Sequence, residues 1–170
     1  MELRGRDVTL RPATSDDAPE LAVILAEPSV AAWWPKYDLG RISTELETAK
    51  VDDIDPYVIE LDGRIIGYIQ ASEETEPEFR HAGIDLFLTT DHQGRGLGPD
   101  AIRALAAYLV DEGGHHRLTI DPAADNGRAI AAYAKIGFRP IGRLRRYQRI
   151  ADGSWIDGLL MEMLAEELIR

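Results

Sequence analysis

The stretch Gln93-Gly94-Arg95-Gly96-Leu97-Gly98-Pro99-Asp100 alternates glycines immediately before an apolar helical period at Ile102, Leu105, Ala106 and Leu109. Glycines so spaced let the backbone turn tightly and aim successive N–H groups at an anion, and a helix start adds its partial positive charge. A pyrophosphate suits that arrangement. A dinucleotide fingerprint needs a further glycine where Pro99 stands, and a P-loop needs a Gly-Lys-Ser/Thr that is absent. Two carboxylates and a phenol are the acid–base candidates. Asp85 interrupts the apolar run Gly83 to Thr89; an unpaired carboxylate is expensive to bury, so it either faces a wet cleft or lies ionised beside a cation. Asp121 follows Leu118-Thr119-Ile120 at the end of a strand, where open α/β sheets receive ligands, although an Asx turn into the next helix also explains it. Tyr133 lies on the stripe Ala129, Ala132, Tyr133, Ile136. It is either a core phenol tied to a neighbour or a proton donor, its ordinary pKa of about 10 being near a thiol's roughly 8.5.

Other chemistries lack their residues. The chain has no cysteine, which removes a thiol nucleophile, a disulfide framework and thiolate metal sites together. His81, His92, His115 and His116 show no i, i+4 ligand spacing, so no metal is expected, and Gly-x-Ser-x-Gly is absent. The net charge of −11 makes nucleic acid a poor partner. Arg143, Arg145, Arg146 and Arg149 form the one basic cluster, and it is expected to be a solvated strand edge. Neither an apolar leader nor a run of about 18 apolar residues is present, so a cytoplasmic location with no membrane partner is the expectation.

These residues need elements to hold them. Val8 to Arg11 alternates as a strand that Pro12 ends, and Ser15 or Asp16 caps a helix with Leu21, Ile24 and Leu25 on one face, closed by Pro28. Ser43 to Lys50 is expected as a polar helix. Tyr57 to Leu61 and Arg64 to Gln70 flank Asp62-Gly63, a strong hairpin signal. The acidic segment Glu73 to Glu78 is expected as a loop, and Gly83 to Thr89 as a central strand with Ile84, Leu86 and Leu88 facing opposite to Asp85 and Phe87. The glycine loop opens a helix with Pro99 at its first position; Arg117 to Ile120 is a strand, and the Tyr133 stripe marks a long helix stopped by Gly137. Strands Phe138 to Leu144 and Ile156 to Met163 follow, around Asp152-Gly153. Helices distributed among mostly adjacent strands predict one domain over residues 1–170, an α/β fold with a single mixed sheet covered on both faces.

Gln93, Gly96 and Gly98 fill Gln/Arg-x-x-Gly-x-Gly/Ala, which resembles the acyl-CoA pyrophosphate loop of the GNAT superfamily of N-acetyltransferases. Val8-Thr9-Leu10-Arg11-Pro12-Ala13 with Asp16-Asp17-Ala18 resembles that superfamily's opening strand and helix, and Asn126 to Phe138 its second signature helix. Within it the chain is similar to the aminoglycoside 6'-N-acetyltransferases. Trp33-Trp34, Pro56 to Ile59, Ile66-Gly67-Tyr68, the Glu73 to Glu78 segment, Gly83-Ile84-Asp85, Gly94 to Gly98 and Asp121-Pro122 carry that resemblance. The lysine N-acyltransferases of siderophore synthesis share much of the frame.

The resemblance implies a GNAT fold with a mostly antiparallel sheet, acetyl-CoA as co-substrate, and direct attack by an amine. It implies that backbone N–H groups at Phe87, Leu88 and Thr89 hold pantetheine and polarise the thioester. Gln93, Gly94, Arg95, Gly96, Leu97 and Gly98 would anchor the phosphates. Asn126 either donates to the CoA arm or caps its helix. Asp85 would orient or deprotonate the amine, Tyr133 return a proton to CoA, and Asp121 hold a substrate ammonium. Trp33 and Trp34 would form a platform for a sugar ring or pack as a lid. An acidic cleft would attract a small cationic amine. Pro99, which lacks an N–H, and Asp100, a negative charge in the first helical turn, depart from the pattern and should weaken the cradle. A siderophore-type acyltransferase or a non-catalytic acyl-CoA-binding module remains possible on these residues, as does either a monomer or a homodimer.

Overall fold

Hydrophobic alternation and turn chemistry set the sheet. In the computed structural model, which describes Met1–Arg170, the strands are β1 (Leu3–Arg4), β2 (Thr9–Pro12), β3 (Ile54–Leu61), β4 (Arg64–Glu74), β5 (His81–Leu88), β6 (Arg117–Ile120), β7 (Arg139–Arg149) and β8 (Trp155–Leu164). They form one open sheet in the order β1-β2-β3-β4-β5-β6-β8-β7. Every neighbouring pair is antiparallel except β5 and β6. The hairpin turns at Asp62-Gly63, with φ of 51° and 73°. The expected mixed, mostly antiparallel α/β sheet is present.

Five helices cover it: α1 (Ala18–Leu25), α2 (Pro28–Ala31), α3 (Leu39–Thr48), α4 (Leu97–Asp111) and α5 (Gly127–Ala134). Leu21, Ile24 and Leu25 of α1, Val30 of α2 and Ile42 of α3 pack on Val58, Tyr68 and Phe87. On the other face Ala101, Ile102, Leu105, Ala106 and Leu109 of α4 pack on Leu10, Ile59, Ile69, Ile84 and Leu118, with Ile130 and Tyr133 of α5 at the margin. No helix is long and apolar enough to cross a membrane.

Several boundaries differ from the sequence reading. Pro12 is the last residue of β2, opposite Tyr57, and β1 was not expected. Pro28 opens α2 instead of merely closing α1. The polar helix begins at Leu39 because Asp38 caps it, accepting from Arg41 N at 2.9 Å. Glu73 and Glu74 belong to β4, not to a loop, and Glu73 meets buried His115 at 2.8 Å. Helix α5 ends at Ala134, before Ile136.

Pro99 is the third residue of α4, not the first. Gly96, in the left-handed region at φ 82°, caps the helix two residues earlier than Pro99 suggests. The N–H groups of the first turn have no intrahelical partner, so proline there interrupts no helical bond. Asp100 turns away from the glycine loop. Its buried carboxylate accepts from the backbone N–H groups of Arg6, Asp7 and Val8 at 2.9, 2.8 and 3.1 Å, which pins the start of the chain to α4. The expected unfavourable charge in the phosphate cradle is therefore spent elsewhere.

Candidate active site

The parallel pairing of β5 with β6 stops almost as soon as it begins. Only Ala82 with Leu118 and Gly83 with Thr119 are in register, while β5 runs on to Leu88. Beyond Gly83 the two strands part. A cleft of about 1470 Å³ occupies the opening, walled by β5, the glycine loop, α5, the Trp33–Trp34 segment and the end of β7. That exceeds a drug-sized pocket and leaves room for two substrates.

The ladder on the other side of β5 decides which amides face this opening. Thr89 N donates to Ile66 O at 2.8 Å. Bonded and unbonded pairs alternate along an antiparallel ladder, so Phe87, opposite Tyr68, also turns its N–H toward β4. Leu86 and Leu88 turn theirs into the gap. Of the three amides expected to hold pantetheine, Leu88 is directed to the cleft and Phe87 and Thr89 are not; the Leu86 amide is directed there as well. The Leu88 carbonyl accepts from Gln93 Nε2 at 2.9 Å, and the same amide reaches Ser29 Oγ at 3.2 Å. Gln93 thus fastens the loop to β5 and to α2.

Gly94 and Gly96 both have positive φ, 70° and 82°, which turns the loop into the N-terminus of α4 at the cleft's edge. Gly94 and Gly96 through Gly98 border the opening apart from Leu97, whose side chain is buried in the core, and Arg95, which projects from the loop into solvent. Arg128 of α5 lies against Gly94, its Nη2 2.6 Å from where a Cβ would stand. Asn126 caps α5 through Oδ1, which accepts from Ala129 N at 3.2 Å, and it also borders the cleft.

Asp85 opens onto the cleft and not into the core. It still lies deep enough for burial to be the main cause that pushes its carboxyl up to about 7, with the charge of Asp121 adding to the rise. No cation or hydrogen bond offsets these causes, so of the two expectations the wet cleft holds. Asp121 at the end of β6 is also raised by burial, against the pull of Tyr147, whose hydroxyl donates to Oδ2 at 2.7 Å. Tyr133 of α5 is pushed up to about 12 by burial first, then by Asp85 and Asp121, with no hydrogen bond among the causes. Its hydroxyl borders the opening and has no hydrogen-bond partner in the chain.

Trp33 is 40% exposed at the rim, and its carbonyl accepts from Gln148 Nε2 at 2.6 Å. Trp34 packs edge-on to Phe87 and Tyr37, both with centroids 5.2 Å away. A smaller cavity of about 250 Å³ continues from Asp85 and Asp121 past Ser72, Gly83 and Thr119 to Glu73 and Glu74. Glu76 and Glu78 do not line it. Tyr147, Gln148, Arg128 and Leu86 are site residues that sequence reasoning missed. Tyr147 and Gln148 sat inside what read as a basic strand edge.

Residues 7–139 match the acetyltransferase (GNAT) domain model. The chain is 31% identical over 153 residues to the aminoglycoside N(6')-acetyltransferase type 1 of Klebsiella pneumoniae, covering 79% of this chain and 75% of that protein. Among solved structures it is similar to AAC(6')-Ib in complex with paromomycin and acetyl-CoA, with TM-score 0.79, 27% identity and 95% of both chains covered. It is similar also to Mycobacterium smegmatis RimJ in complex with a CoA disulfide, with TM-score 0.85, 28% identity, and 100% of this chain and 88% of that one covered. With its splayed strands and the glycine loop beside them, the chain belongs to the GNAT acetyltransferases, enzymes that perform N-acetyl transfer.

Proposed function

We propose that the chain transfers an acetyl group from acetyl-CoA to a primary amine of a small polycation, the 6'-amine of an aminoglycoside, by direct attack in a ternary complex. The observation that carries this reading is the pair Asp85 and Asp121 facing one opening without a counter-cation, with protonated Tyr133 on the adjoining helix. The residues fit the co-substrate. Leu86 and Leu88 N–H groups face the gap, and the glycine loop offers amides at the N-terminus of α4, with Arg128 beside it. Acetyl-CoA supplies the activated thioester.

The side chains divide the work. An amine arrives as an ammonium, and two carboxylates attract it. A carboxyl at about 7 is divided between its two forms near neutrality, so Asp85 takes the ammonium's proton where an ordinary carboxylate would be too weak a base. The Leu88 and Leu86 amides are placed to stabilise negative charge on the thioester oxygen. Tyr133 at about 12 is at first a weaker acid than a thiol, and it donates a hydrogen bond to the departing sulfur. Protonation of Asp85 removes one of the charges that help raise Tyr133, easing proton transfer as the thiolate leaves, and the second proton, shed by the attacking nitrogen as the amide forms, restores the phenol. Trp33 offers an exposed ring face at the acceptor's rim.

The test is thiol release from acetyl-CoA with kanamycin, tobramycin, a 6'-hydroxyl aminoglycoside, spermidine, lysine, hydroxylysine and an N-terminal peptide amine. Turnover of the 6'-amino compounds and none of the 6'-hydroxyl one is expected. Activity confined to lysine-type, polyamine or peptide amines would contradict the aminoglycoside assignment, and CoA binding without any product would contradict catalysis.

A further inference from the structure

Strand β7 loses register against β8 between Leu144 and Gln148: Leu144 pairs with Gly158 and Gln148 with Ile156, so two residues are extra on β7. The irregularity is held in place. Arg146 adopts φ 50°, its N–H donates to Asp157 Oδ1 at 2.8 Å, and Arg143 Nη1 donates to Asp157 Oδ2 at 2.8 Å. In a regular strand Tyr147 and Gln148 would point to opposite faces; here Tyr147, Gln148 and Arg149 all border the cleft. The Tyr147 ring lies so close over β8 that a Cβ at Gly158 would stand 2.8 Å from its Cδ1. From that seat the hydroxyl reaches Asp121, 26 residues earlier in the chain.

We propose that Tyr147 is a positioning residue for the acceptor amine: its hydroxyl occupies Asp121 Oδ2 and so turns Oδ1, together with the Asp85 carboxylate, toward one ammonium. This inference rests on the acceptor reading above. The groups that face the two carboxylates are Tyr133 of α5, Tyr68, Glu73 and Glu74 of β4, and His81 of β5, with Arg41, Arg103, Arg128, Lys135 and Arg149 around the wider cleft. Tyr147 is the one that donates a hydrogen bond to Asp121. That bond favours the ionised carboxylate, so removing it moves the titration of Asp121 upward; Asp121 then carries less charge at a given pH, and Asp85, which that charge helps to raise, moves down.

Tyr147→Phe keeps the ring over Gly158 and deletes only the donor. The titrations of the Asp85 and Asp121 carboxyls are followed by ¹³C NMR in the wild type, Tyr147→Phe and Asp121→Asn, without substrate, beside pH profiles of kcat/KM. In Tyr147→Phe Asp121 is expected to titrate higher and Asp85 lower, with the acid limb of kcat/KM, which follows Asp85, moved down by up to about half a pH unit. The KM for the amine should rise about tenfold, the scale of one charge-assisted hydrogen bond, with the KM for acetyl-CoA unchanged. Asp121→Asn, which removes that charge altogether, should move Asp85 down further. Carboxyls that titrate unchanged in Tyr147→Phe, with activity lowered equally at every pH, would overturn the role of Tyr147. Shifted carboxyls in a protein that acetylates no amine would overturn the acceptor reading and leave the Tyr147–Asp121 tie standing.

Discussion

Asp85 and Asp121 stand at the point where β5 and β6 part, and the charge of Asp121 is the second cause, after burial, of the rise of Asp85 to about 7. On the proposed reading a catalytic base poised near neutrality needs such a rise and a polycation needs two adjacent carboxylates; one arrangement would serve both ends. Neither carboxylate is repaid by a cation of the chain, so the corner of the cleft between β5 and β6 lacks a counter-charge until an ammonium enters.

Such an arrangement costs stability. Folding raises the Asp85 pKa, so the folded chain binds the proton more tightly than the unfolded one between about 4 and about 7, and stability falls as pH rises through that window. Asn cannot ionise. Asp85→Asn is therefore expected to raise Tm by roughly 2–4 °C at pH 8 and to leave it unchanged at pH 4, read by calorimetry at both values.

Tyr133→Phe removes the proposed donor to the leaving sulfur and leaves the ring in place. A fall in kcat of about 100-fold is expected, with the KM values for amine and acetyl-CoA within a few-fold of wild type. Steady-state kinetics with thiol detection check it; an unchanged kcat would assign the proton to another source.

Asp100 carries the opposite expectation. Asp100→Ala strands the N–H groups of Arg6, Asp7 and Val8, which should cost about 3 kcal/mol of stability by urea unfolding. Acetyl-CoA affinity should not improve, because the carboxylate points away from the loop. A variant of wild-type stability that binds CoA more tightly would restore Asp100 to the cradle.

How much of this was legible depended on chain separation. The Asp62-Gly63 hairpin is local chemistry. Asp85 announced itself as a charge in an apolar strand, and the glycine loop by composition next to a helical period. Tyr147 did not, because its register depends on an irregularity fixed by Asp157 and its partner is 26 residues away. The tie from Asp100 to Arg6, Asp7 and Val8 spans more than 90 residues and was misread as a charge beside the loop. The choice of amides facing the cleft followed from which pairs of β4 and β5 are bonded, and alternation of side chains carries no information about that phase. Helix α3 starts at Leu39 and not at Ser43 because the Asp38 side chain caps it, a start that its mostly polar sequence did not mark.

The central claim is that Asp85 takes the proton of the attacking amine. The most direct measurement is kcat/KM for a 6'-amino aminoglycoside against pH in the wild type and in Asp85→Asn. The wild type is predicted to lose activity below an acid limb near pH 7, because only the ionised carboxylate accepts a proton. Asp85→Asn is predicted to lose that limb and to fall about 100-fold or more above it, with acetyl-CoA binding unchanged. A variant that keeps both the limb and the wild-type rate would contradict the account.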